Sequence, residues 1–260
     1  MAAGTLLSDW GPHDILTLTI NRPERLNALD PEVLGALAQS LGTDGARAAA
    51  VILRGAGDEA FSSGYDLSRL TGSAGDLEAD RLIGEAVNAL RACPAPVIAR
   101  LHGHCHGAAV ELALNCDLRL ASRELRMSLP AVSLGVVYRY ELLARLVQAC
   151  GLARAADLLL AMPELDAGQA YLWGLVTEVV PASEIDVRVQ KLAERLSASP
   201  RPAVQGTKAS LGLLERRAIV ADDLEKAHQL RARAAGSPER SAALRRRLKS
   251  MARRLRPPSS

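Results

Sequence analysis

The first two thirds of the chain repeat one pattern, in which a short apolar strand is followed by a turn and then by a helix. Ile15–Ile20 alternates apolar residues with threonine and ends at Asn21 and Pro23, which is typical of a half-buried strand and a turn. Asp30 followed by Pro31 then marks a helix start, since a carboxylate caps free N–H groups and proline fits the first helical position. Because strands and helices alternate, the sequence predicts an α/β core with largely parallel strands.

Further segments continue this alternation up to about residue 121. The predicted strands are Ala49–Leu53, Pro96–Leu101 and Leu118–Ala121, and the predicted helices are Leu77–Leu90 and Ala108–Cys116. Beyond Pro130 the strand signal fades and helical spacing takes over. The predicted helices there are Tyr140–Ala149, Arg154–Leu160, Ala167–Trp173, Glu184–Leu196, Lys208–Arg216 and Asp222–Ala234.

A proline pair divides the chain. Pro200 and Pro202 make the sharpest break in the helical part, so we separate a core of residues 1–199 from a helical C-terminal region of residues 200–260. The helices after the break carry apolar residues that their own neighbours do not obviously cover. We therefore expect the C-terminal region to pack against another subunit.

Composition excludes several classes of protein. The 260 residues are 48% hydrophobic, which is enough for a sizeable core, yet no apolar run reaches the length of about 18 residues that a membrane helix needs. Residues 1–9 lack the basic and apolar regions of a secretory signal, so we expect a cytoplasmic protein. The four cysteines are sparse and form no CxxC pair, which argues against a disulfide scaffold and against redox chemistry.

Two glycine-containing turns offer backbone N–H groups to a ligand. Phe61–Leu67 reads as a loop in which Gly64 precedes a residue whose N–H is free to face a cleft. Gly103–Leu112 reads as a glycine turn that opens a helix, and the first N–H groups of a helix have no acceptor within it. Two such donors that converge on one carbonyl oxygen would form an oxyanion hole.

Four groups of residues stand in the order and spacing of one known family. They are Asn21–Pro23 with Leu26–Leu29, Ala60–Leu67, Gly107–Ala113 with Cys116 and Asp117, and Ala170–Val180. Through these motifs most of the chain resembles the enoyl-CoA hydratase/isomerase, or crotonase, superfamily. The resemblance implies a crotonase-like spiral of stacked ββα units, with a helical C-terminal region that assembles homotrimers or dimers of trimers.

The resemblance also implies acyl-CoA thioester substrates and a shared enolate intermediate. By position, the backbone N–H groups of Tyr65 and Ala108 would hold the thioester oxygen, each contributing about 3 kcal/mol in a transition state. No metal and no cofactor is expected apart from the coenzyme A of the substrate. The residues assigned to the substrate site are Ser63, Gly64, Asp66, Gly107, Ala131 and Glu141, together with Arg22 and Arg25 as ligands of the nucleotide phosphates.

The chain departs from the family at one acid/base position. Hydratases of the family use two glutamates, because adding water to a double bond needs a general base and a general acid. Glu111 matches the first, and a carboxyl group on an otherwise apolar helix is either catalytic or salt-bridged. The family's second glutamate follows a proline, and here Pro130 is followed by Ala131, which cannot transfer a proton. This change argues against ordinary hydration, and against simple isomerisation of the kind catalysed by family members whose base sits at this position.

A tyrosine follows the altered position. Leu134–Tyr138 resembles the corresponding segment of methylmalonyl-CoA decarboxylases, which also lack the second glutamate, although those enzymes have histidine where this chain has Tyr65. Decarboxylation needs an oxyanion hole, a pocket that desolvates the carboxylate and a weak acid. We therefore favour decarboxylation of a malonyl-type thioester. Tyr138 is then a site residue or a packing residue, and Glu141 is a second carboxyl group or a solvated residue of a first helical turn.

Other functions stay open at this stage. One is a hydratase or isomerase in which another group replaces the second glutamate, and another is a non-catalytic acyl-CoA-binding or RNA-binding homologue. Residues 240–260 hold eight basic side chains and no acidic one, so residues 1–239 carry a net charge of −5. An acidic body argues against a nucleic-acid partner. The basic tail is expected to be a solvated helix or to contact the coenzyme A phosphates.

Three alternating histidines invite a metal hypothesis. His102, His104 and His106 would share one face of an extended segment beside Cys105, and imidazole and thiolate are zinc ligands. The family that the chain resembles uses no metal. We therefore expect no metal here and regard His106 as a polar wall of the acyl-CoA pocket.

Overall fold

The structure of the protein is a computed structural model, and it describes residues 4–216 and 221–254. Its strands are β1 (Leu6–Trp10), β2 (Ile15–Ile20), β3 (Ala50–Gly55), β4 (Ala60–Ser62), β5 (Val97–Leu101), β6 (His104–His106), β7 (Leu118–Ser122), β8 (Arg126–Ser128), β9 (Leu165–Asp166) and β10 (Glu178–Val180). Its helices are α1 (Pro31–Arg47), α2 (Leu77–Ala92), α3 (Ala108–Leu114), α4 (Tyr140–Ala156), α5 (Ala167–Leu172), α6 (Ile185–Ser197), α7 (Arg201–Arg216), α8 (Ala221–Ala235) and α9 (Pro238–Arg254).

The described strands form two sheets. The larger has the order β1-β2-β3-β5-β7-β10, and the smaller has the order β4-β6-β8-β9. Strands β1 and β2 pair antiparallel, as do β8 and β9, and the other pairs are parallel. The predicted α/β core with largely parallel strands is confirmed.

Each repeat places one strand in each sheet. β3 and β4 precede α2, β5 and β6 precede α3, and β7 and β8 precede α4; the first strand of each pair joins the larger sheet and the second joins the smaller. This is the spiral of stacked ββα units that the family resemblance implied. The sequence patterns missed β4, β6 and β8, because three residues are too few to show an alternation. The segment predicted as a loop from Phe61 thus begins inside a strand.

The central strands of the larger sheet are covered on both faces. Val51 and Val97 pack in the main core with α1 and α2, whereas their neighbours Ile52 and Ile98 pack under α6 on the opposite face. Successive side chains of a strand point to opposite sides, so both sets must be apolar. This explains why these strands read as continuous apolar runs.

Helix α1 begins as its sequence predicts. The Asp30 side chain accepts a hydrogen bond from the Val33 N–H at 3.0 Å, and Pro31 occupies the first turn. The predicted apolar face is buried and includes Leu34, Leu37 and Leu41. The segment just before α1 is therefore held in place, and within it Leu29 pairs with Tyr65 of the functional site.

The last third is helical, with two differences from the prediction. Tyr140–Ala149 and Arg154–Leu160 run together as α4, which bends at Gly151 and continues into a π-helical turn over Asp157–Ala161. Strands β9 and β10 were also missed, and β10 extends the larger sheet beside β7. Within residues 4–216 and 221–254, no helix combines the length and apolarity that crossing a membrane requires.

The C-terminal helices dock on the core of their own chain. Lys208 on α7 pairs with Asp117 at 2.8 Å, and Arg240 on α9 pairs with Asp76 at 2.8 Å. Arg240 is 5% exposed, so the basic tail begins with a buried contact, whereas Arg245, Arg246, Arg247 and Lys249 on α9 are exposed, as expected for a solvated helix. The boundary between residues 199 and 200 falls between α6 and α7, and the last basic residue, Arg256, lies outside the described residues.

Candidate functional site

The loop after β4 pairs with the segment around Leu29 and turns one of its own backbone N–H groups away from that segment. Leu29 donates its N–H to the Gly64 carbonyl at 2.8 Å and accepts from the Asp66 N–H at 2.8 Å, so the Tyr65 N–H between them points to the other side. Gly64 has φ of 91°, and a Cβ there would overlap the His106 carbonyl oxygen. Only glycine permits this close approach.

The second N–H of the predicted pair lies beside this loop. Ala108 is the first residue of α3, and its nitrogen lies 3.4 Å from the position that a Cβ on Gly64 would take. The Gly107 N–H donates to the Ser128 carbonyl at 3.0 Å, which holds the start of α3 against β8. Within the described part of the chain, the N–H groups of Tyr65 and Ala108 have no acceptor. The two donors are thus close together and free, as an oxyanion hole requires.

Glu111 projects from the first turn of α3 into a closed environment. Its side chain is 3% exposed and forms an ion pair with Arg139, whose Nη2 donates to Glu111 Oε1. Burial raises the pKa of the Glu111 carboxyl, Arg139 lowers it, and the charges of Asp80 and Glu141 raise it. A carboxyl group held in this way is poised to exchange a proton or to orient a polar ligand.

Arg139 is a residue of this site that the sequence analysis missed. It is the residue immediately before α4, and its guanidinium packs against Gly84 on α2. Its Nε is buried and has no hydrogen-bond partner in the described residues. The only signal in the sequence was its position next to Tyr138, because nothing in the chain pattern relates it to a carboxyl group 28 residues earlier.

Tyr138 and Ala131 lie together where the family has its second glutamate. Ala131 is 4% exposed, and its backbone lowers the pKa of the neighbouring Tyr138 hydroxyl. A Cβ on Gly107 would lie 3.6 Å from that hydroxyl, so Tyr138 reaches the start of α3. Burial raises the pKa of Tyr138, and the charge of Glu111 raises it further, so the hydroxyl keeps its proton at neutral pH.

Glu141 lies two residues beyond Arg139, in the first turn of α4. Its Oε2 is buried and has no hydrogen-bond partner in the described residues, and its charge acts on Glu111. The interpretation of Glu141 as a solvated helix-start residue is therefore wrong for this oxygen. An unpaired buried carboxylate oxygen is costly, which makes Glu141 a second candidate for an acid/base group.

The two arginines assigned to phosphates have different environments. Arg22 is buried, pairs with Asp30 at 3.2 Å and with Asp66 at 3.1 Å, and donates to the Ala28 carbonyl. The expectation that Arg22 contacts a phosphate is therefore corrected, because its guanidinium is already satisfied inside the protein. Arg25 contacts Asp66 at 3.3 Å but keeps 55% of its side chain exposed, so it stays a candidate.

Asp66 and Ser63 order the loop that carries Tyr65. The Asp66 carboxylate accepts from the Ser68 N–H at 3.2 Å, and Ser63 Oγ donates to the Arg25 carbonyl at 3.4 Å. Although burial raises the pKa of Asp66, hydrogen bonds from Ser68 and Arg22 hold it below the usual value. These residues shape the site without presenting a reactive group to it.

The fold and this geometry agree with one family of proteins. The sequence model of the enoyl-CoA hydratase/isomerase family matches residues 11–256, which is almost the whole chain. The chain belongs to the enoyl-CoA hydratase/isomerase family. The resemblance read from the sequence motifs is thereby confirmed.

Relatives of this family member carry out more than one reaction. The chain is 31% identical over 202 residues to a short-chain-enoyl-CoA hydratase of Clostridium acetobutylicum, covering 76% of this chain and 77% of that protein. It is 32% identical over 226 residues to a 1,2-epoxyphenylacetyl-CoA isomerase of Escherichia coli, covering 83% and 85%. A solved methylmalonyl-CoA decarboxylase superposes with a TM-score of 0.88 over 96% of this chain and 97% of that chain, and at 22% identity this likeness concerns the fold.

The alternating histidines of this hydratase/isomerase family member form a hydrogen-bonded row beside the site. His104 Nδ1 lies 3.1 Å from His106 Nε2, and His106 Nδ1 lies 2.9 Å from Ser128 Oγ. His102 is separate and bonds to the Gly57 carbonyl. In the ranges that the structure describes, no cluster of three or more potential metal ligands occurs. His104 and His106 thus serve as hydrogen-bonding groups beside the site.

The buried His102 and the half-buried His106 predict a pH dependence of stability. Burial lowers the pKa of both His102 and His106 to about 4, below the value of about 6.5 expected in the unfolded chain. Between these values the unfolded state binds more protons, so stability is complete above pH 6.5 and decreases as the pH falls toward 4. We expect the free energy of unfolding, measured by urea denaturation, to decline over this interval.

Substitution of His106 tests whether histidine titration causes this decline in the free energy of unfolding. The variant His106→Leu is expected to show a shallower decline between pH 6.5 and pH 4 than the unsubstituted protein, because one titrating group is lost. A leucine at the exposed His228 on α8 serves as the matched control. An unchanged slope in His106→Leu would contradict the assignment.

Proposed function

We propose that this family member is an acyl-CoA lyase that decarboxylates a malonyl-type thioester through an enolate. The observation that carries the proposal is the pairing of two free N–H donors, at Tyr65 and Ala108, with a site whose second acid/base position is the buried Ala131. Loss of carbon dioxide needs stabilisation of the enolate oxygen but no activated water. The reaction requires no metal and no cofactor apart from the coenzyme A of the substrate.

The proposed reaction uses the site residues in a defined order. The bond between Cα and the substrate carboxylate breaks, carbon dioxide leaves, and the electron pair forms an enolate whose oxygen accepts from the Tyr65 and Ala108 N–H groups. Cα then takes up one proton. Tyr138 retains its hydroxyl proton in this buried position and is our candidate donor, and it regains a proton from solvent after each turnover. Glu111 with Arg139 orients the acyl group.

One observation favours a second candidate function, hydration or isomerisation of an enoyl-CoA. Glu141 has a buried oxygen without a hydrogen-bond partner in the described residues, and its charge reaches Glu111. Two neighbouring carboxyl groups are the equipment that water addition needs. In this alternative Glu141 replaces the glutamate that is absent at position 131, and the names of the relatives support it.

The deciding experiment offers both substrates to the purified protein. Methylmalonyl-CoA is followed through propionyl-CoA and carbon dioxide, and crotonyl-CoA through the loss of its enoyl absorbance. Decarboxylation without hydration supports the first function, and rapid hydration overturns it. Binding of both thioesters without turnover of either would indicate a non-catalytic acyl-CoA-binding homologue.

Two conservative variants separate the candidate functions at the level of residues. Tyr138→Phe removes only the hydroxyl and is expected to slow decarboxylation, whereas Glu141→Gln is expected to leave it nearly unchanged. If the protein is a hydratase, Glu141→Gln instead removes the activity. The two substitutions preserve side-chain size, so each tests a proton-transfer role and not packing.

We also propose a homotrimer or a dimer of trimers in the cytoplasm as the working form. Leucines on the later helices are exposed in the single chain, which supports a covered surface in an assembly. They are Leu152, Leu160, Leu172, Leu211, Leu213 and Leu214. Light scattering of the purified protein gives the subunit number, and a monomer would contradict the proposal.

A further inference from the structure

A row of opposite charges connects the C-terminal helices with the candidate active site. Arg231 on α8 pairs with Asp80 on α2 and donates to the Val137 carbonyl at 3.1 Å. The charge of Arg139 acts on Asp80, and the guanidinium of Arg139 pairs with Glu111. Arg139 thus lies between two carboxyl groups, one in the site and one behind it.

Helix α2 has a notch at the place where Arg139 crosses it. Gly84 is buried within α2, and a Cβ on Gly84 would lie 2.6 Å from Arg139 Nη1 and 3.4 Å from its Cζ. The backbone of Gly84 does not have a positive φ, so the helix itself does not need glycine there. The absence of a side chain at Gly84 instead leaves room for the Arg139 guanidinium.

We propose that Arg139 is a positioning residue for Glu111, held in place by the notch at Gly84, and that this contact sets the orientation and charge of the Glu111 carboxylate during catalysis. The guanidinium donates through Nη2 to Glu111 Oε1, which ties that oxygen to the residue immediately before α4. A planar guanidinium holds a carboxylate in one geometry better than an ammonium group does. The inference rests on the proposed function only for the choice of substrate.

The charges around Glu111 define what removal of Arg139 would do. Glu111 on α3 interacts with four neighbouring groups. They are Arg139 immediately before α4, Glu141 in the first turn of α4, Asp80 on α2 and the Tyr138 hydroxyl. Among these groups Arg139 alone is cationic. Without Arg139, burial and two acidic neighbours act on the carboxyl unopposed, and Glu111 binds its proton at a higher pH.

The first test replaces the arginine. Arg139→Met is expected to lower kcat with the active thioester by about 100-fold, the size of effect that follows from misplacing a catalytic group. The inflection of Glu111 in the pH–rate profile is expected to move upward by about 1 to 3 pH units. Arg139→Lys should recover the pH profile better than the rate, because lysine restores the charge but not the planar geometry.

A matched variant separates this role from a general loss of stability. Arg100 is also buried and pairs with Asp186 at 3.0 Å, but on the face of the larger sheet that α6 covers. Arg100→Met is expected to lower thermal stability without moving the pH profile. If Arg139→Met behaves like Arg100→Met, Arg139 is merely structural and the proposal is overturned.

The second test leaves the arginine in place and fills its notch. Gly84→Ala replaces glycine by the best helix former, so α2 itself should not weaken, while the new methyl group displaces the guanidinium from its seat. We expect a lower kcat and, because both charges of the ion pair remain in the protein, a smaller loss of thermal stability than in Arg139→Met. Gly35→Ala on α1, where nothing lies within 4 Å of the new Cβ, reports the helix effect alone. Full activity in Gly84→Ala would contradict the proposed notch.

A measurement without substrate keeps this proposal separate from the proposed function. The side-chain carboxyl of Glu111 can be titrated by ¹³C NMR and assigned by its absence from the spectrum of Glu111→Gln. Its midpoint is expected to rise in Arg139→Met. If no thioester is turned over but the midpoint rises, the proposed function fails while the action of Arg139 on Glu111 stands; an unchanged midpoint overturns the latter.

Discussion

Replacing Glu111 by glutamine is expected to lower turnover of the active acyl-CoA by about two orders of magnitude or more, because the acyl group is no longer held in its reactive orientation. Glutamine keeps the size and shape of the side chain but can neither carry the charge nor exchange the proton. The affinity for coenzyme A thioesters should change little, because Glu111 lies at the reacting end of the site. Steady-state kinetics and calorimetric binding measure the two quantities separately.

The same substitution leaves Arg139 without its partner. Removing one member of a buried ion pair costs about 3 to 5 kcal/mol of folding stability, because the remaining charge is uncompensated. Arg139 is 12% exposed and Glu111 3% exposed, so this cost applies here. A fall in activity could then reflect partial unfolding.

The double variant Glu111→Gln with Arg139→Met resolves this ambiguity. It removes both charges and is expected to recover a large part of the lost stability, measured by urea denaturation, while turnover stays low. Activity that returns together with stability would show that Glu111 supports the fold and not the chemistry.

Gly64→Ala is the second variant with a large expected effect. The new methyl group would collide with the His106 carbonyl, and a φ of 91° is strained for alanine. The loop must therefore move, and the Tyr65 N–H moves with it. Loss of one such donor costs about 3 kcal/mol in the transition state, so kcat should fall by about 100-fold or more.

A glycine elsewhere distinguishes backbone strain from the loss of the donor. Gly151 in α4 has φ of 78°, and nothing lies within 4 Å of a Cβ built on it. Gly151→Ala is expected to reduce stability through strain while kcat in the folded protein stays near the original value. If Gly64→Ala keeps full turnover, the Tyr65 N–H does not stabilise the enolate.

The sequence alone determined the parts of the protein that depend on local patterns. Strands β2, β3, β5 and β7 and helix α1 are long enough for their apolar spacing and capping residues to be read directly. Glu111 and the two turns with free N–H groups were found for a related reason. A carboxyl group in an apolar helix and glycines before a helix are local features with a physical meaning.

Only the tertiary structure decided which charges meet. Arg22 was expected at a phosphate and lies buried between Asp30 and Asp66. Arg240 was expected in a tail that is solvated or contacts the coenzyme A phosphates, and it pairs with Asp76 instead. Arg139 drew no attention in the sequence, yet it contacts Glu111. An arginine side chain is long and flexible, and the same residue type serves solvent, phosphate or a buried carboxylate. Its partner depends on which elements the ββα spiral brings together, and local sequence does not contain that information.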